Sequence, residues 1–425
     1  MRQYTSYSVK IKHYNHILRD TLDVYRRAVD FYISVCLAEW DVMEKIGTPL
    51  ARKTYMEQLS HTTRNNPTPK HDFDAKFYKF PSYLRRAAIA HALGCVSSHK
   101  SNGDKGTPKA GYCFPVLYKD NSFVRTGTYT ARIKVFIRNT WDWLDVELRK
   151  SDVDYIQRHC SGRKELCPTL RKSGKQWFLD FAFEENVQLC NKPVQDRTIV
   201  AVDLGIKNAC TCSVMTAKGT ILARKFLSLA REQDSLHHAL NKIRQSQQHG
   251  AKRIPRLWAR ANGLSDDIAV KTAAFIMNIA TKYNTDVIVF ESLNTRGRKQ
   301  FMKQRLHHWR AQYIQAMVAT KAHRLGMRIS RVCAAGTSKY AFDGSGEVTR
   351  GINGNYSLCK FKTGKIYNCD LSASYNIGAR YFVREIYKSL PETAKSRITA
   401  KVPECAKRTT CTLATLINLV AGLAA

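Results

Sequence analysis

The chain has 425 residues, with 69 Lys or Arg against 34 Asp or Glu and a formal net charge of +35. Apolar residues make up 44% and aromatics 10%, which excludes global disorder, and the length suits two to four domains. So large a positive excess opposes compaction and calls for a polyanionic partner. A basic membrane-surface protein is the competing class, but no basic amphipathic anchor or lipidation motif is present.

Residues 3–12 alternate polar and apolar through Tyr7, Val9 and Ile11 and predict a strand. Helical spacing over 15–46 (Ile17, Leu18, Leu22, Tyr25, Val29, Tyr32, Ile33) predicts a long helix. The polar, proline-bearing stretch His61–His71 breaks it, and a second helix is expected over Tyr83–His99. From about 116 the period becomes two. Thr128–Ile137 and Trp141–Leu148 predict strands around the turn Arg138-Asn139-Thr140, and Pro168–Arg171 with Gln176–Phe183 predict a hairpin. The first half therefore divides into a β domain over 1–14 and 116–190, interrupted by a helical insert over 15–115.

After the polar linker Asn191–Arg197 the character changes. Ile199-Val200-Ala201-Val202 is a continuous apolar run, as in a strand buried on both faces. Cys210–Met215 and Ile221–Phe226 follow as strands, and Leu227–Gln247 as a helix. Ser265, backed by Asp266 and Asp267, is expected to cap a helix carrying Ala269, Ala273, Ile276, Ile279, Ala280 and Tyr283 on one face. Val287–Phe290 is a fourth strand, His308–Leu325 a helix, Met327–Cys333 a fifth strand. A glycine-rich insertion over 334–367 precedes a last helix starting near Asp370, and the apolar stretch Leu413–Ala425 is too short to span a bilayer. It suits a terminal core helix or a loose tail. The order of elements is that of an RNase H-like mixed sheet over 191–333 and 368–390, with 391–425 as a C-terminal tail.

Three acids stand at the ends of these elements: Asp203 after the first strand, Glu291 after the fourth, Asp370 at the last helix. In open α/β sheets, chemistry collects where strand ends meet helix starts. Clustered carboxylates suit hard divalent cations, and two Mg²⁺ ions can activate a water and stabilise a leaving oxyanion in phosphodiester hydrolysis. Singly, each acid has a plainer reading: Asp203 as a turn residue before Gly205, Glu291 as a surface charge, Asp370 as a helix cap.

The segments Ile199–Asn208 (IVAVDLGIKN), Val287–Asn294 (VIVFESLN) and Asn368–Ile377 (NCDLSASYNI) together, and in this order, resemble the three RuvC motifs of the transposon-encoded TnpB (OrfB) proteins and of the type V CRISPR effector nucleases. The match is good over about 200–380; the first half agrees only in organisation. The resemblance implies a wedge-like N-terminal β-barrel with a helical recognition insert, then a RuvC nuclease domain. It implies Asp203, Glu291 and Asp370 as catalytic ligands of two Mg²⁺ ions, with Mn²⁺ as a substitute. The implied partners are a guide RNA and a double-stranded DNA target, with no membrane and a monomer favoured, in the cytoplasm of a prokaryotic cell. The implied activity is RNA-guided DNA cleavage; the alternatives are a catalytically silent guided DNA-binding regulator and a guide-free, structure-specific RuvC-type nuclease. One departure stands out. The family's zinc ribbon, two Cys-x-x-Cys pairs between the second and third motifs, is reduced here to Cys359, so Zn²⁺ is not expected and 334–367 reads as a degenerate ribbon, a small hairpin touching target nucleic acid. The third motif also carries Ser372 where the family has asparagine.

Between Ser292 and Phe342 lie eleven Lys or Arg and no Asp or Glu. Arg296, Arg298, Lys299, Lys303, Arg305 and Arg310, with Trp309 among them, are candidates for a substrate-backbone track, and so are Lys252, Arg253 and Arg256. The plainer reading of each run is a solvated helix face. The 13 cysteines are odd in number and irregularly spaced. With Met1-Arg2-Gln3-Tyr4 leading into polar sequence rather than a secretory leader, the cysteines are expected reduced and mostly buried.

Overall fold

The computed structural model describes residues 1–13, 16–104, 106–205, 208–293, 310–352, 354–407 and 409–425. The chain divides into two compact units, Arg2–Glu185 and Asn186–Ala425 with Met1.

In the first unit, β1 (Arg2–Lys10), β5 (Lys164–Glu165), β6 (Thr169–Ser173) and β7 (Gln176–Asn186) form one sheet, and β2 (Phe123–Arg125), β3 (Thr130–Ile137) and β4 (Thr140–Glu147) another. An antiparallel bridge between Ile11 and Leu148 links them. Arg138 and Asn139 both take positive φ, which lets a two-residue turn join β3 to β4. The helical insert is α1 (Ile17–Ala38), α2 (Trp40–Lys45), α3 (Pro49–Ser60) and α4 (Ser82–Ser101). The single helix expected over 15–46 breaks at Glu39, whose backbone leaves the helical region. Helix α3, and α5 (Lys150–Cys160) between β4 and β5, lie outside the sequence expectation; α3 buries only Met56 and Ser60, so it has no apolar stripe to read.

The second unit is built on a five-stranded sheet in the order β10-β9-β8-β11-β12: β8 (Thr198–Asp203), β9 (Cys210–Thr216), β10 (Ile221–Leu227), β11 (Val287–Ser292), β12 (Arg328–Cys333). The first three strands meander antiparallel, and β11 lies parallel to both β8 and β12. Alternation along β8 and β11 sends Val200, Val202, Ile288 and Phe290 to a core beneath α7 (Pro255–Lys282) and α8 (Ala311–Arg324). Ile199, Ala201, Val287 and Val289 pack on the opposite core, with α9 (Cys369–Ser389). Gly378 allows that packing to be tight: a Cβ there would meet Met215 Sδ at 2.1 Å and Ala201 Cβ at 3.2 Å.

Several expectations are corrected. Ser265 caps nothing; it sits buried inside α7 and its hydroxyl donates to the Ala261 carbonyl. The helix starts ten residues earlier, at Pro255, because Leu257, Trp258, Ala261 and Leu264 extend its apolar stripe onto α6 (Ala230–Gln248). Residues 391–425 carry α10 (Glu392–Lys401) and α11 (Leu413–Ala424), whose Ile398, Leu413, Leu416 and Leu419 join the core under α9, so of the two sequence readings it is the core helix that the fold realises. The insertion is larger than a hairpin. β13 (Thr349–Ile352), β14 (Asn355–Lys360) and β15 (Ile366–Asn368) form an antiparallel sheet, and β15 runs directly into α9. Among the described residues no helix is long and apolar enough to cross a membrane.

Candidate active site

The register of the five-stranded sheet places two of the three acids. Val202 pairs with Phe290 across β8 and β11, so Asp203 and Glu291 follow side by side at the same end of neighbouring parallel strands. Alternation aims both toward the face that α9 covers. Asp370 occupies the first turn of that helix, and it is not the cap: Asn368 Oδ1 accepts from the Leu371 amide at 2.9 Å. All three carboxylates are half-buried.

Electrostatics tie them together. Burial pushes the Asp203 carboxyl well above the usual carboxylate range, and the charges of Glu291 and Asp370 push the same way, while Arg350 opposes them. Burial also raises Glu291, against a hydrogen bond from Thr337 and the charge of Arg380.

Neighbours fix the other acids in place. Thr337 Oγ1 donates to Glu291 Oε1, and Asn376 Nδ2, on α9, donates to the Thr337 carbonyl at 2.9 Å and the Tyr340 carbonyl at 2.8 Å. Helix, loop and strand end are thus linked in one chain of contacts. Gln315 Nε2 donates to the Glu291 carbonyl at 3.0 Å, and Asn208 Nδ2 to Asp370 Oδ2 at 2.9 Å. The buried Arg380 guanidinium donates to the carbonyls of Cys333, Ala335 and Thr409, pinning the start of the insertion. Sequence reasoning missed Asn208, Gln315, Thr337, Arg350 and Arg380. Asn208 and Asn376 lay within the first and third motifs, Gln315 within an expected helix, and Thr337 and Arg350 within the insertion, but nothing in period or spacing marks Arg350.

The donor set suits a hard divalent cation in kind: three carboxylates at one end of the β8–β11 pair, one of them destabilised as an anion by burial and by its two neighbours. As the side chains stand, no group of three or more His, Cys, Asp or Glu among the described residues is arranged to hold a metal ion. A zinc site does not fit the insertion. Cys359 and Cys369 are buried there, but their thiols lie against the carbonyls of Tyr367 and Tyr356, and a structural zinc needs four ligands. Aromatic packing fills the space instead. Phe342 meets Phe361, Tyr367 and Tyr375 at centroid distances of 5.4, 4.9 and 5.0 Å.

Of the expected nucleic-acid contacts, Arg296, Arg298, Lys299, Lys303, Arg305 and Trp309 lie outside the described residues. Arg310, next to α8, forms a solvent-exposed ion pair with Asp266 at 3.3 Å. Lys252, Arg253 and Arg256 are exposed at the start of α7.

Comparison with known proteins gives three findings. Residues 5–137 match the Aq_aa04 family model, and residues 181–300 the OrfB_IS605 model, described as a probable transposase. The TnpB-like protein aq_aa05 of Aquifex aeolicus (strain VF5) is 25% identical over 232 residues, covering 49% of this chain and 74% of that protein. The fold is shared with Cas12f1, solved by cryo-EM as a complex with sgRNA and target DNA, at a TM-score of 0.56 and 12% identity over 85% of this chain and 81% of that one.

Proposed function

We propose that the chain belongs to the superfamily that joins the TnpB-like proteins and the type V CRISPR effectors, and that it is an RNA-guided DNA endonuclease with a single RuvC-type site. The observation that carries this reading is the convergence of Asp203, Glu291 and Asp370 at one end of the β8–β11 pair. Two divalent cations, Mg²⁺ or Mn²⁺, would supply water activation and stabilisation of the leaving oxyanion. Asp203, Glu291 and Asp370 would hold them. Thr337 and Asn208 keep two of the carboxylates aimed, and Arg350 brings a cation from the insertion to the same place, suited to the non-bridging oxygens of a scissile phosphate. The first unit, read as a wedge-like barrel with a recognition insert, would carry guide RNA, and the +35 charge suits an RNA and a heteroduplex together.

The test is to sequence the RNA that co-purifies with the protein, rebuild the complex on it, and supply a matching duplex with Mg²⁺. The reading requires cutting by the native complex, and binding without cutting by the Asp203→Ala variant. Guided binding without any cutting by the native complex would leave a DNA-binding regulator. Cutting with no RNA bound would leave a guide-free nuclease.

A further inference from the structure

Outside the carboxylate site, the outer face of the inserted sheet has no role in what has been described so far. Cys359 turns inward to a small core with Phe361 and Cys369, so alternation along β14 sends Tyr356, Leu358 and Lys360 to the other face. Lys360 pairs with Ile366 on β15. This face is open: Tyr356 is 79% exposed and Ile366 52%. The segment 334–369 carries five Lys or Arg against two acids, a balance that favours an anionic strand.

Tyr356 is held, not loose. The register between β13 and β14 slips between Arg350 and Ile352, and Gly351 at the slip has φ +81°, a conformation glycine adopts without cost. The Tyr356 ring lies against the place where a side chain on Gly351 would begin, its nearest carbon 3.4 Å from that position. An aromatic ring seated beside a glycine with most of its surface in solvent is a preformed stacking surface.

Its position relates it to the reaction. The Tyr356 carbonyl accepts from the Cys369 thiol at 3.7 Å, and Cys369 directly precedes Asp370. Gly351 directly follows Arg350, whose charge acts on Asp203. Tyr356 thereby touches the residue next to Asp370 at the start of α9 and the residue next to Arg350 on β13.

We propose that Tyr356 stacks on an unpaired base of the DNA strand being cut, next to the phosphate that the carboxylates receive. This rests on the nuclease reading given above. Tyr356 acts as a positioning residue: it fixes which phosphate enters the site and takes no part in the chemistry.

The experiment uses the full chain in EDTA and a short single-stranded DNA containing 2-aminopurine, whose fluorescence falls when the base stacks on an aromatic ring. The native protein is expected to quench the probe, and Asp203→Ala to quench it equally. Tyr356→Ala is expected to bind about 5- to 150-fold more weakly, the range that loss of one base–aromatic stack gives, and to lose the quench at saturation. Tyr356→Phe is expected to restore both, with an unchanged thermal midpoint in the two Tyr356 variants at this exposed position. Undiminished quenching by Tyr356→Ala, or a tighter and equally quenched complex with the matching RNA oligonucleotide, overturns the proposal. Because the readout needs neither guide nor metal, failure of guided cutting with a Tyr356-dependent quench would overturn the nuclease reading alone.

Discussion

The second unit holds two sheets that contribute to one site by different physics. The five-stranded sheet is buried on both faces, so its strands β8 and β11 are near-continuous apolar runs and their register is fixed by two cores at once. The three-stranded insertion buries one face on a handful of rings and leaves the other in solvent. The first kind of sheet places charges; Asp203 and Glu291 end where the apolar runs end. The second kind lends residues to a site it does not build: Thr337 toward Glu291 and Arg350 toward Asp203.

That contrast orders the expected effects of mutation. Asp203→Ala should take Mg²⁺-dependent cutting of a guided target below detection. In EDTA the same change should raise the thermal midpoint, because it removes a carboxyl whose ionisation burial and two like charges oppose; a lowered midpoint would say that Asp203 supports the fold.

Phe361→Ala should cost the insertion about 3–5 kcal/mol, the usual loss for a buried phenylalanine, read as faster amide exchange over β13 to β15. Cys359→Ser and prolonged chelation should leave that exchange pattern close to the native one. Chelator-induced opening of the insertion would mean that a metal, and not the aromatic cluster, holds it.

Gly378→Ala tests the other sheet. The added methyl must displace Met215 or lift α9 from β8, at about 1–3 kcal/mol for overpacking, seen as a lower urea midpoint. Because α9 carries Asp370, cutting should fall by more than stability alone explains. Thr337→Val is the mildest change: it keeps the shape but removes the donor to Glu291, and should lower cutting or metal affinity roughly 10- to 100-fold with an unchanged urea midpoint.

The same contrast explains what was legible in the sequence. The runs Ile199–Val202 and Val287–Phe290 announced doubly buried strands, and the acids that follow them were found by position. Asp370 was found where a helix begins, but Asn and Asp cap helices equally well, so the sequence does not say that Asn368 takes the capping role and leaves the acid free of it. Ser265 misled because a Ser-Asp-Asp sequence imitates a helix start, while the true start at Pro255 is set by packing against α6, the helix just before it. Arg350 and Tyr356 were invisible for a related reason. Their roles depend on a register slip at Gly351 and on pairing across strands, and neither leaves a period in the chain.

The central claim is that three distant carboxylates hold divalent cations against a phosphate. Its most direct test is to count Mn²⁺ ions by electron paramagnetic resonance on the complex with guide RNA and an uncleavable phosphorothioate target. The account expects two bound ions per chain in the native protein and their loss in Asp203→Ala and Asp370→Ala; an ion count unchanged by either substitution, or no bound Mn²⁺ in the native complex, would contradict it.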